Sequence, residues 1–317
     1  MRPAEGAVAS DGARVAHTEP TPAVSTDDRV IVGLLRSLRA RQWAKNLLVF
    51  AAPGAAGVLT DGSVLVDAVV AFVLFCAAAS GVYLVNDVAD RSADRLHPRK
   101  QLRPIAAGHV PVATALIVAS FLLAASVGVG WLALGWRFAL VLGLYVVLSV
   151  AYSIRLKQIA IIDLATVASG FVLRAIAGGV AVDVRISSWF LIVTSFGSLF
   201  VVAGKRHAES VDLGDARGEH RLTLAEYSTA YLHYVRFTAS AVTILAYCLW
   251  AFEGAEGGGA LWLELSIVPF VLAIFRYALL LEAGFGDQPE ELLLLDRALQ
   301  VLGVAWAALF AAGVYAG

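Results

Sequence analysis

The chain has 317 residues, of which 59% are hydrophobic and only 15% charged, and its mean hydropathy is +0.77. A water-soluble domain carries about 25% charged residues, so a soluble globular protein is excluded and an integral membrane protein is implied. The formal net charge of -1 hides a very uneven distribution, and both cysteines, Cys76 and Cys248, sit in apolar runs, which argues against a disulfide or zinc framework.

Residues 1–28 are small, polar and acidic and read as a disordered cytosolic tail. They lack the apolar core of a signal peptide. Residues 29–317 read as a single polytopic domain. A membrane-crossing helix needs roughly 20 apolar residues. Runs of that kind fall at 44–60, 64–85, 111–133, 137–154, 159–180, 187–203, 236–253, 260–281 and 298–316. The expected fold class is therefore all-α, a nine-helix transmembrane bundle with a cytosolic polar cap. Pro53 and Gly54 interrupt the first run, and such residues are tolerated within membrane bundles. No strand alternation is sustained, which argues against a barrel. Abundant Ala and Gly allow close helix packing, within the bundle or between copies in a homo-oligomer.

The charges sort by side. Arg36, Arg39, Arg41 and Lys45 precede the first span. Arg91, Arg95, Arg99, Lys100 and Arg103 follow the second, Arg155 and Lys157 the fourth, and Lys205, Arg206, Arg217 and Arg221 the sixth. The alternate loops hold only Arg185, with Arg137 at a helix start. The positive-inside rule places the basic loops in the cytosol. The expected location is the inner (plasma) membrane, in contact with its lipids, with the polar layer on the cytosolic side. Nothing in the pattern points to nucleic acid.

The second span ends in NDVADRSADRLHPRK, residues 86–100. If the helix continues, steps of about 100° put Asn86, Asp87, Asp90 and Asp94 within a quarter turn. Like charges at this spacing repel, and anions are disfavoured near a helix C-terminus. A bound divalent cation relieves both costs, and carboxylate oxygens suit magnesium. Arg99, Lys100 and Arg103 follow directly, which is the arrangement expected for a diphosphate. The plainer alternative is a solvated helix end whose acids pair with Arg91, Arg95 and Arg99.

Two more polar groups share this layer. AYSIRLKQIAIID (151–163) supplies Tyr152, Arg155, Lys157 and Asp163, and VVAGKRHAES (201–210) supplies Lys205, Arg206, His207 and Glu209. Lys205 and Glu209 are four apart and are expected to share a face. Arg174 lies roughly 16 Å deeper than Asp163 at helical rise. An arginine at that depth is a functional or structural marker: either it anchors a phosphate or it pairs inside the bundle.

The motif NDxxDxxxD at Asn86, Asp87, Asp90 and Asp94 resembles the first aspartate-rich motif of the UbiA superfamily of intramembrane prenyltransferases, and the resemblance runs from about residue 36 to the end. It implies that the motif binds magnesium and a diphosphate. A second aspartate-rich motif follows the sixth helix in that superfamily; here Lys205 and Glu209 stand in its place. Further stretches, RQWAKNLLVFAAP (41–53), which contains Lys45, YSIRLK (152–157), DLATVASGFVLRAIAGG (163–179) and GKRHAE (204–209), resemble an actinobacterial branch that acts on 5-phosphoribosyl 1-diphosphate and a polyprenyl phosphate. The resemblance then implies magnesium on Asp87, Asp90 and Asp94, with Asn86 in support. It implies phosphate contacts from Arg99, Lys100, Arg103, Lys157, Lys205 and Arg206. Lys45, Tyr152, Arg155, Asp163, Arg174 and Glu209 complete the expected binding set. The alternatives are ordinary prenyl transfer to an aromatic acceptor, and a transporter or lipid-binding protein without chemistry.

Overall fold

The computed structural model describes residues 26–213, 223, 226–253, 259–283, 292 and 295–315. Most of the expected tail lies outside the described residues, and residues 26–28 open the first helix rather than belonging to a tail. That helix, α1 (Thr26–Ser37), lies on the cap, where Leu34 and Leu38 pack against Leu84, Ile105 and Val110.

The next segment differs most from expectation. Residues 44–60 do not form one long α-helix. Ala40–Phe50 winds as a 3-10 helix of 11 residues and passes into α2 (Ala51–Ala55), 5 residues long. Runs of 3-10 helix this long are uncommon. At about 2.0 Å per residue they cover about 22 Å, and α2 adds about 7.5 Å. The rod thus reaches about as far as 20 residues of α-helix. Arg39, in the left-handed region at φ 53, sets its entry, and Gly57 at φ 72 ends it against Val314. Pro53, which has no N–H to donate, sits near the exit.

The rod is seated by a glycine. A Cβ on Gly178 would lie 1.7 Å from the Val49 carbonyl oxygen, so any larger residue would displace the rod. Arg174, one turn earlier on the same face, donates from Nε to Asn46 Oδ1 at 2.7 Å.

Eight helices among the described residues are long and apolar enough to cross a membrane. They are α3 (Gly62–Ala89), α5 (Val112–Leu134), α6 (Trp136–Ile154), α7 (Ile162–Ala181), α8 (Ser188–Leu213), α9 (Thr229–Glu253), α10 (Ala260–Glu282) and α11 (Arg297–Tyr315). Between α3 and α5 lies the short α4 (Arg91–Leu96). No strand occurs among the described residues. Asp61 caps α3, accepting from the Ser63 amide at 2.8 Å, and Gly135 at φ 86 turns α5 into α6.

The bundle has two packed halves. Phe75, Phe138, Leu142 and Tyr145 centre the first, where α3, α6, α7 and the rod meet. Phe200, Ala239, Tyr277 and Leu281 centre the second, built by α8 to α11. Outward residues such as Phe121 and Leu132 are exposed, as lipid-facing positions are. The sixth and seventh expected runs, 187–203 and 236–253, underestimate their helices. Both α8 and α9 continue as helix into the charged sequence, so polar side chains of the cap stand on rigid rods rather than on loops.

Candidate active site

The acidic face forms, with one change of geometry. α3 stops at Ala89; Asp90 closes it at φ -89, ψ 0 and starts α4. The turn stays close to helical, since the Asp94 amide donates to the Asp90 carbonyl at 2.8 Å. Asp87 and Asp94 are 2% and 3% exposed, and Asp90 is half-buried.

Each carboxylate is met by a base from elsewhere in the chain. Arg39 donates to Asp87. Arg103 bridges two acids, its Nη1 lying 3.2 Å from Asp87 Oδ1 and 2.7 Å from Asp94 Oδ2. Lys157 donates to Asp90, whose other oxygen accepts from Asn86 Nδ2 at 3.1 Å. The solvated-end alternative expected Arg91, Arg95 and Arg99 in these places; Arg95 instead donates to the Ala106 carbonyl at 3.0 Å. Lys157 is presented by a 3-10 turn, Leu156–Gln158, that follows α6 and opens at the exposed Arg155.

Arg99 and Lys100 are exposed. Their amides donate to His97 Nδ1 at 3.2 and 3.3 Å, so that nitrogen is a backbone acceptor. Although the Lys100 residue reaches the surface, the protein around its ammonium strips part of its water; that first, and Arg103 second, hold it below the ordinary lysine value, against the pull of Asp94, Glu209 and Asp90. It stands electrically between the first acidic motif and Glu209.

A second cluster joins α6, α7 and α8. Asp163, in the first turn of α7, is fully buried, where the helix dipole favours an anion. It accepts from Arg206 Nε at 2.9 Å and from the Tyr227 hydroxyl. Arg206 also donates to Glu209 at 2.8 Å and to the Tyr152 hydroxyl at 3.0 Å. The Tyr227 hydroxyl accepts from the Ile161 amide at 2.6 Å. Burial and the bond to Asp163 push its pKa up, so it stays protonated and keeps donating. Lys205 and Glu209 share a face of α8, but the ion pair on Glu209 comes from Arg206. Lys205 is half-buried on the same helix, with no ion pair to a described residue.

Arg174 pairs inside the bundle. Besides Asn46, it donates to the Gly170 carbonyl at 2.6 Å and the Tyr145 hydroxyl at 2.9 Å, and its guanidinium lies 4.6 Å from the Tyr145 ring centroid. Lys45 donates to Gln42. Sequence reading treated Arg39 only as a topology signal and did not single out Tyr227 or Asn46.

The donor set of the first cluster, three carboxylates and an amide, is all oxygen on its accepting side. It fits a hard cation such as magnesium, which takes one or two carboxylates together with substrate phosphates. The bases now on those acids are then free to meet phosphate oxygens.

Eight long apolar helices among the described residues, with a layer of paired acids and bases at one end, define a polytopic membrane protein. Residues 47–299 match the family described as the UbiA prenyltransferase family, and the chain belongs to that family. It is 43% identical to the decaprenyl-phosphate phosphoribosyltransferase of Corynebacterium glutamicum over 89% of this chain and 87% of that protein. It is 42% identical to the protein of the same name from Mycolicibacterium smegmatis, over 94% and 97%. The fold is that of a UbiA homolog from Archaeoglobus fulgidus bound to GPP and Mg2+, with a TM-score of 0.70 at 20% identity over 90% of this chain and 100% of that one.

Proposed function

We propose that the protein is a magnesium-dependent decaprenyl-phosphate phosphoribosyltransferase that works at the cytosolic face of the membrane, within the single domain of residues 29–317. A polyprenyl phosphate oxygen forms a bond to C1 of 5-phosphoribosyl 1-diphosphate. The bond from C1 to the diphosphate breaks, and pyrophosphate leaves with the electron pair. The observation that carries this reading is that each carboxylate of the first motif is neutralised by a base, Arg39 and Lys157 from distant segments and Arg103 from the loop that follows. Such a set is charge-balanced at rest and can exchange partners when a diphosphate and its cation arrive together. Near-full-length identity of 42% and above to curated phosphoribosyltransferases supports the choice of donor over an isoprenyl diphosphate.

Asp87, Asp90 and Asp94 would hold magnesium, with Asn86 orienting Asp90. The chemistry such an ion supplies is neutralisation of the diphosphate and of the charge that builds on departing pyrophosphate. Arg103 and Lys100, with Arg99 at the rim, hold phosphate oxygens. Lys157, released from Asp90, neutralises the lipid phosphate, and Arg155 stands beside it. Lys205 adds a cation from α8. Arg206, bound to three oxygens, positions α8 through Asp163, Tyr152 and Glu209. No general base is required, because the accepting phosphate is already anionic. The lipid tail fits an apolar groove between α6, α7 and α8, in which two adjoining hollows of about 280 and 260 Å³ share Ala168 and Ser195 and rise to Ile161 and Tyr231. Phe196 lines it, whereas Phe75 is fully buried in the core.

The test is pyrophosphate release by purified protein in detergent with magnesium, omitting each substrate in turn. Release should require both substrates and should be lost in Asp90→Asn. Release from an isoprenyl diphosphate and an aromatic acceptor instead would overturn the reading.

A further inference from the structure

We propose that His207, His233 and Glu282 form a binding site for a borderline transition-metal cation of the zinc class, separate from the acidic face. The three residues come from α8, α9 and α10. One ligand atom from each lies within 4.8 Å of the others. His233 Nδ1 is 3.3 Å from Glu282 Oε1, and the two imidazole rings meet edge-on with centroids 4.7 Å apart.

Zinc holds nitrogen and oxygen ligands at about 2.0–2.2 Å, so two ligands of a tetrahedron lie about 3.3 Å apart. The His233–Glu282 pair already has that spacing. The remaining distances close by about 1.5 Å or less on this geometry. The side chains of His233 and Glu282 are 41% and 47% exposed, so both can rotate inward while the buried His207 stays fixed.

The donor chemistry separates this site from the first motif. Imidazole nitrogen suits zinc, copper and nickel, whereas magnesium prefers oxygen. An anion is excluded as occupant because Glu282 faces it. Arg236, 5% exposed, donates to Glu282. The oxygen that Arg236 holds is Oε1, the one that lies against His233; a carboxylate oxygen has two lone pairs and can accept that bond while ligating, and such an outer partner fixes the ligand's orientation. Three protein ligands leave a fourth position for water. Because His207 follows Arg206 directly, an ion here would pin α8 to α9 and α10 beside the second cluster. The site does not rest on the transfer reaction.

The experiment uses untagged full-length protein in detergent, stripped with chelator, loaded with zinc and separately with cobalt, then desalted. Wild type should retain one equivalent of zinc, and cobalt should give the visible absorption of a nitrogen–oxygen site. His233→Ala should weaken retention at least about a hundredfold. Glu282→Gln, which keeps the side chain's shape, should do the same if His233→Ala folds poorly. His109→Ala, at an exposed histidine outside the cluster, should bind as wild type does. Millimolar magnesium should not displace the ion. No retained metal, equal retention in His233→Ala and Glu282→Gln, or displacement by magnesium would overturn the proposal.

Discussion

Two acid–base clusters stand side by side at the cap, and they are built differently. Around Asp87, Asp90 and Asp94 the cations are partly exposed: the side chains of Arg39, Arg103 and Lys157 are 27%, 26% and 17% accessible. Around Asp163 and Arg206 both partners are almost wholly buried, 0% and 4% accessible. A buried pair is costly to break, because the survivor is left charged without a partner. A pair whose cation reaches solvent is held less tightly, because water competes for it. The first cluster is therefore suited to exchanging partners during a reaction, and the second to holding three helices in place.

That contrast can be broken by four measurements. The largest effect is expected from Arg206→Met, which removes the guanidinium that Asp163 and Glu209 share. It should cost about 3–5 kcal/mol of stability, seen as a large drop in the thermal unfolding temperature in detergent; a wild-type melt would end the distinction. Lys157→Gln should behave in the opposite way. Turnover should fall about a hundredfold, as when one charge-stabilising donor is removed, while stability changes by under about 1 kcal/mol. Equal losses in both would make Lys157 structural. Tyr227→Phe removes a donor to Asp163 and an acceptor for the Ile161 amide, and should cost about 1–3 kcal/mol, read by the same melt. The smallest effect concerns Lys100. Its ammonium releases its proton below the ordinary lysine value. Only the protonated form attracts phosphate, so kcat/KM should fall as pH rises through that lowered value. Lys100→Arg should move the alkaline limb upward; an unmoved limb would assign it to another group.

Much of this was legible in the sequence. Hydrocarbon thickness demands long apolar runs, so the large helices announce themselves. Steps of 100° put Asp87, Asp90 and Asp94 on one face even though the helix changes at Asp90. Of the partners of those acids, Arg103 was in view beside the motif, but the other two were not. Arg39 is 48 positions from Asp87 and Lys157 is 67 from Asp90, and only the packing of α3 with the rod and α6 brings them together. The charged ends of α8 and α9 looked like loop because polarity ends an apolar run, whereas backbone hydrogen bonding continues the helix. That hid the meeting of His207 with His233. Nothing in the spacing of residues 40–55 distinguishes a 3-10 rod from an ordinary span, since its winding follows from the floor it rests on, Gly178 and Arg174.

The seat of that rod also orders events during synthesis. Asn46 and Arg174 are 128 positions apart. A polar group left without a partner in lipid costs several kcal/mol. Asn46 meets α3 first, donating from Nδ2 to Cys76 Sγ at 3.2 Å, but its oxygen gains the Arg174 guanidinium only when α7 follows, four long helices later in the count. Until then, whatever machinery inserts the chain must shelter an asparagine and a helix of unusual pitch. The rod is thus made before the helix that completes its seat.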